Sequence, residues 1–261
     1  MKKFCFTVDD NIRFLKEITE RNYTSIFDHP YLAMYKRLHE KFNLEVQLNL
    51  FYFMEGFELS QMSDKYKKEW TENSHWLKLS FHSLFENVRP YENSDYNEVF
   101  TDCNKVNSEI LRFASPHSLA KTTTVHFCVT TSAGLEAVKD NGYKGVLGLF
   151  GDSENPRISY SVDNETASEI RKGKVLSFND VSIASIDMVI NTVKLSDIPR
   201  ELAKLLSRDS VRVMIHEQYF YEDYPKYQSD FEEKLSTVFS ILKDTGFESC
   251  FFEELIEKKK I

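Results

Sequence analysis

Phe4-Cys5-Phe6-Thr7-Val8-Asp9-Asp10-Asn11 is an apolar run that ends in two carboxylates, and its reading decides the fold. Charged groups at the mouth of a buried strand are costly to desolvate unless they are paired or bound to a cation. Partners follow downstream, each at the end of another apolar run. His82 follows Trp76-Leu77-Lys78-Leu79-Ser80-Phe81, His126 follows Thr122-Thr123-Thr124-Val125, and His216 follows Val211-Arg212-Val213-Met214-Ile215. Carboxylates and histidines gathered at one end of successive strands are how an α/β barrel builds a metal site.

Working outward, strand-like runs fall at 4–9, 44–53, 76–82, 122–128, 144–150, 187–192 and 211–216, with a short run at 247–252. Between them lie segments of helical period, clearest at 30–42, 95–113, 132–141, 198–207 and 227–245. That alternation is the pattern of βαβ units and a parallel sheet. The expected fold is α/β, a single distorted (β/α) barrel of about seven parallel strands, in one domain over residues 1–261. Residues 151–182, with Asp152, Ser153, Asn155, Pro156 and Gly173 among short polar strand-like pieces, predict a hairpin or loop insertion over one face. Residues 84–95 predict a polar, aromatic loop after His82.

Composition excludes several function classes. The net charge is −8, and Lys and Arg are scattered among acids, so nucleic acid is not an expected partner. No stretch reaches the length of a membrane span, and the N-terminus lacks the features of a signal peptide, which points to a cytoplasmic protein with no membrane partner. Cys5, Cys103, Cys128 and Cys250 show no paired spacing and are expected to be reduced thiols.

Neighbouring residues of a strand point to opposite sides, so only a local turn lets both Asp9 and Asp10 face the mouth. That suits a division of labour, with one carboxylate on a metal and the other taking a proton from water activated by it. The plainer alternative is that one of the two caps a helix over 11–20. His82 and Glu86 are four residues apart and share a face if the turn between them is helical. His126 offers a second solution and is slightly favoured over Glu86 as the third ligand, completing an Asp-His-His set. Asn191, at the end of its own run, is placed to orient His216.

With these motifs in view, the chain resembles the polysaccharide deacetylase (NodB-homology) family of metal-dependent deacetylases. Thr7-Val8-Asp9-Asp10-Asn11 is similar to that family's Thr-Phe-Asp-Asp-Gly, with Asn11 in place of Gly. His82-Ser83-Leu84-Phe85-Glu86 is similar to its His-Ser/Thr-x-x-His, with Glu86 in place of the second His, and Met214-Ile215-His216 to its final strand. The Arg-Pro-Pro-Tyr-Gly motif is missing, and Arg89-Pro90-Tyr91 comes too soon after His82 to take its part. The resemblance implies Asp9 as general base, His216 as general acid, and Asp10 with His82 on one divalent metal ion, zinc first. Arg89, Tyr91 and Tyr219 are expected to touch substrate. The implied activity is removal of an acetyl group from a carbohydrate or other small acylated substrate by attack of metal-bound water. A hydrolase of a different amide or ester, and a non-catalytic sugar-binding barrel, are the rival expectations.

Overall fold

The computed structural model describes residues 2–86, 91–151 and 157–257. Its strands are β1 (Lys2–Asn11), β2 (Val46–Phe51), β3 (Leu77–Ser83), β4 (Thr122–Thr123), β5 (Gly145–Gly148), β6 (Leu176–Phe178), β7 (Val181–Ser185), β8 (Met188–Val189), β9 (Ser210–His216) and β10 (Phe247–Ser249), besides a small hairpin of Phe53–Met54 and Phe57–Glu58. The helices are α1 (Arg13–Arg21), α2 (Pro30–Phe42), α3 (Lys67–Asn73), α4 (Tyr96–Phe113), α5 (Ser132–Asp140), α6 (Asn164–Arg171), α7 (Ile198–Ala203), α8 (Phe231–Asp244) and α9 (Phe252–Glu257).

One sheet runs β8-β9-β1-β2-β3, with β10 beside the start of β1, and every pairing in it is parallel. A second sheet runs β4-β5-β7-β6, where only β6 is antiparallel to its neighbour. The sheets meet at two places. Leu79 of β3 bridges to Leu119, just before β4. At the other junction the chain passes from β7 to β8: Ile186 donates to the Gly148 carbonyl and Asp187 to that of Arg212, both at 2.7 Å.

Alternation along β1 sorts its side chains. Phe4 and Phe6 face outward and meet Phe239 of α8 at ring distances of 5.8 and 5.0 Å, while Phe6 also meets Tyr35 of α2. Cys5, Thr7 and Asp9 take the other face, in register with Arg212, Met214 and His216 of β9. That inner face is unusually polar for a buried surface, since Gln47 and Asn49 of β2 and Ser80 and His82 of β3 are buried too.

Three expected strands are cut short, the run at 247–252 keeping only Phe247–Ser249 before α9 begins at Phe252. The run at 122–128 leaves extended geometry because Phe127 and Cys128 adopt φ of +57° and +55°, turning His126–Cys128 into a single tight turn. The run at 187–192 keeps only Met188–Val189 before turning at Ile190–Thr192. Around the expected insertion, Tyr160 and Ser161 form a turn, α6 follows, and the antiparallel pair is β6 with β7. Asp152, Ser153, Asn155 and Pro156 lie outside the described residues.

Candidate metal centre

The Asp-Asp pair sits on a bulge. Val8 pairs with Leu48 and Asn11 with Leu50, so Asp9 and Asp10 together oppose the single residue Asn49. Asp10 takes φ of +63°, the left-handed conformation that releases a side chain from strict alternation. Asn11 holds the bend: its amide donates to the carbonyls of Val8 (2.6 Å) and Asn49 (3.1 Å), and its oxygen accepts from the Tyr31 hydroxyl (2.8 Å). Asp9 therefore points inward, 2% exposed, while Asp10 turns to the mouth. A second bulge makes His82 the extra residue between Phe81, paired with Leu50, and Ser83, paired with Phe51. Bulges of this kind re-aim side chains beside functional sites.

Neither aspartate caps α1. Its N-cap residue, Ile12, makes no side-chain cap, and Glu217 does the work from across the fold. One Glu217 oxygen accepts from the amides of Ile12 (2.7 Å) and Arg13 (3.0 Å), the other from the Phe14 amide (2.8 Å) and the Tyr221 hydroxyl (2.7 Å). This leaves both aspartates available for other roles.

Asp10, His82 and His126 converge, with one ligand atom from each within 4.8 Å of the others. Asp10 Oδ1 lies 3.1 Å from His82 Nε2 and 3.4 Å from His126 Nδ1, and the two ring nitrogens are 3.1 Å apart. The outer nitrogens are already committed. His82 Nδ1 meets the Thr124 carbonyl and His126 Nε2 the Glu86 carbonyl, each at 2.5 Å. A carbonyl accepts only, so these nitrogens carry protons, and without a second proton or a metal each ring would turn a lone pair towards the Asp10 carboxylate. Three acceptors facing one point require a cation between them, either shared protons or a metal. Carbonyl-anchored histidines with one carboxylate are the donor set of a divalent metal site. The second Asp10 oxygen accepts from Gln218 Nε2 at 2.7 Å.

Electrostatics agree with that pull towards a cation. Burial works to raise the Asp10 carboxyl, yet hydrogen bonds from His126 and His82 hold it well below the usual carboxylate range. Burial works to lower His82, but the charge of Asp9 and the hydrogen bond to Asp10 raise it. Asp9 itself is raised, chiefly by burial.

Asp9 and His216 line the same cleft as these donors, a space of about 270 Å³ walled on its apolar side by Leu149, Val189 and Met214. The two are register neighbours on β1 and β9. Asn49 Nδ2 donates to Asp9 Oδ1 at 2.6 Å, and Asn191 Oδ1 meets His216 Nδ1 at 2.9 Å. The Glu86 carboxylate is outside the converging group; it lines the adjoining hollow with Asp10, and burial raises it, helped by the charge of Asp10. The expectation that Tyr91 touches substrate is corrected: its ring is fully buried against Phe81, and its hydroxyl donates to Asp102. Tyr219 is half-buried beside the His216 ring, at 6.1 Å, and Arg89 lies outside the described residues. No individual role was read from sequence for Asn49, Gln218 or Glu217. Asn49 did carry a signal, since Gln47 and Asn49 alternate with Val46, Leu48 and Leu50 on a buried strand.

Fold and donor set together describe an α/β protein with a histidine-carboxylate centre at the C-terminal ends of parallel strands. No family model and no curated protein matches the chain. Solved structures do share its fold. A 4-alpha-glucanotransferase from Thermococcus litoralis aligns with a TM-score of 0.62 at 10% identity over 99% of this chain; the chain spans 41% of that protein's length. A protein described as a polysaccharide deacetylase from Mycobacterium smegmatis aligns at 0.59 and 10% identity, over 98% of this chain and 90% of its own. A family 4 acetyl xylan esterase from Clostridium thermocellum, in complex with a cobalt ion, aligns at 0.52 and 12% identity, over 100% and 93%. The motif resemblance to polysaccharide deacetylases is thus matched by a shared fold. No described helix is long and apolar enough to cross a membrane.

Proposed function

We propose that the chain is a metal-dependent hydrolase that removes an acyl group, acetyl first, from a carbohydrate. Structures with this fold bear names as different as glucanotransferase and acetyl xylan esterase, so the reading rests on the donor set rather than the fold. Its main support is the convergence of Asp10, His82 and His126, whose outer ring nitrogens are anchored to carbonyls. One oxygen and two nitrogens are a donor set that suits zinc. The chemistry such an ion supplies is Lewis acidity, under which a coordinated water ionises near pH 7 and a carbonyl is easier to attack. Asp9, held by Asn49, takes the proton of the attacking water at its carboxylate. His216, oriented by Asn191, protonates the departing nitrogen or oxygen. The same proposal includes a single domain whose two sheets close into a distorted barrel of about seven parallel strands, supported by the hydrogen bonds at both junctions. It places the protein in the cytoplasm, consistent with four free, buried cysteines.

The test is kinetic. With metal content matched, Asp9→Asn should abolish hydrolysis of acetylated sugars, and His216→Ala should slow acetamides far more than activated aryl acetates, which leave without protonation. Full activity in Asp9→Asn would remove the base, and equal losses on both substrate types in His216→Ala would remove the acid.

A further inference from the structure

We propose that Arg157 forms an anion subsite in this cleft, so that the acylated substrate carries a carboxylate or phosphate. The inference rests on the hydrolase reading and names the substrate class of the same site. Arg157 is the one arginine or lysine among the described residues that line the cleft. Its guanidinium donates to the Phe127 carbonyl at 2.6 Å, which holds it at the cleft. The cleft's own acids are already engaged, Asp9 with Asn49 and Asp10 with His82, His126 and Gln218. A guanidinium has five N–H donors, more than the Phe127 carbonyl uses, so donors remain for an oxyanion in the cleft.

The backbone favours the same reading. Phe127 and Cys128 are both left-handed without being glycine, a conformation that persists where the surroundings enforce it. The turn they make brings His126 to the metal donors and offers the Phe127 carbonyl that anchors Arg157. One strained turn thus ties a cation to the centre, at a distance set by the chain. Arginine matches planar or tetrahedral oxyanions through paired N–H groups.

Equilibrium binding to the zinc-loaded full chain tests this, with N-acetylglucosamine as neutral probe, its 6-phosphate and N-acetylmuramic acid as phosphate and carboxylate probes, and methyl phosphate as an anion without a sugar. The anionic sugars should bind about ten- to a hundredfold more tightly than the neutral one, the range for a charge-assisted hydrogen bond, and their ranking identifies the anion. Arg157→Ala and Arg157→Gln should erase that preference with zinc still bound, and Arg157→Lys should keep part of it. The glutamine variant retains a donor for the Phe127 carbonyl and so separates charge from turn structure. Equal affinity for neutral and anionic sugars, or a preference that survives in Arg157→Gln, overturns the proposal. If methyl phosphate binds through Arg157 while no sugar binds, the subsite stands and the carbohydrate reading falls.

Discussion

The third metal ligand is where sequence left two answers and geometry favours one. His126 Nδ1 lies 3.1 Å from His82 Nε2 and 3.4 Å from Asp10 Oδ1, whereas the Glu86 carboxylate stands outside that triangle. An ion that binds only the folded chain stabilises it by about 2.7 kcal/mol at a free concentration one hundred times its Kd. For a chain of this size each kcal/mol moves Tm by about 2–4 °C, so zinc should raise the wild-type Tm by roughly 5–10 °C. His126→Ala should lose most of that rise at the same zinc concentration, because removing one of three protein ligands weakens the site by orders of magnitude. Glu86→Ala should keep it, since its backbone carbonyl still anchors the His126 ring. Thermal melts with and without zinc, paired with metal analysis of the dialysed proteins, read both. A full zinc-dependent rise in His126→Ala together with its loss in Glu86→Ala would refute the assignment and the lone-pair argument behind it.

Asn49→Ala should lower kcat about ten- to a hundredfold with metal still bound, the usual cost of losing an orienting partner, because Asp9 loses its 2.6 Å donor; an unchanged kcat at equal metal content counts against it. Glu217→Ala should cost about 3–5 kcal/mol in urea unfolding, since three amides and the Tyr221 hydroxyl lose one buried acceptor; a loss below about 1 kcal/mol contradicts the capping role. The metal-free protein should show a specific pH dependence. His82 is raised, so its contribution is full below the unfolded histidine value of about 6.5 and is lost as pH rises through the folded value. Asp10 is depressed, so its contribution is present above about 3.9 and is lost only as pH falls through its folded value. Melts in chelator should therefore weaken above about pH 6.5 in wild type and not in His82→Ala; identical profiles would show that the pair carries no such linkage.

Much of this was legible because it is local. The ends of β1, β3 and β9 follow from apolar runs closed by Asp, His and His, and α2 from Pro30 at its first turn and an apolar stripe through Leu38 and Phe42. What escaped depends on partners distant in sequence or on weak patterns. Glu217 caps a helix about 200 residues away, which no local signature announces. Of the overlooked helices, α3 buries only Trp70 and α6 only Ala167 and Ile170, too few positions to establish a helical period. The premature end of the run at 122–128 has no glycine to mark it, because Phe127 and Cys128 take the left-handed conformation themselves. Tyr91 was expected to touch substrate, but its ring packs over Phe81.

The three donors share a backbone property that bears on how such a centre is built. Asp10 sits in one bulge, His82 in a second, and His126 opens a turn of two left-handed residues. Regular parallel strands alternate side chains between the inner face and the outer, helix-covered face, so the end of an unbroken strand would present one useful residue to the inner cleft. Each irregularity here adds or redirects one residue. The first lets Asp9 stay inward, beside Asn49 and His216, while its immediate neighbour turns to His82 and His126. Straightening that bulge by one residue would return Asp10 to the outer face, where α2 and α8 pack, and bury a charge without a partner. The split of roles proposed for the Asp-Asp pair would therefore depend as much on Asn11 and Tyr31, which clamp the bend, as on the two carboxylates themselves.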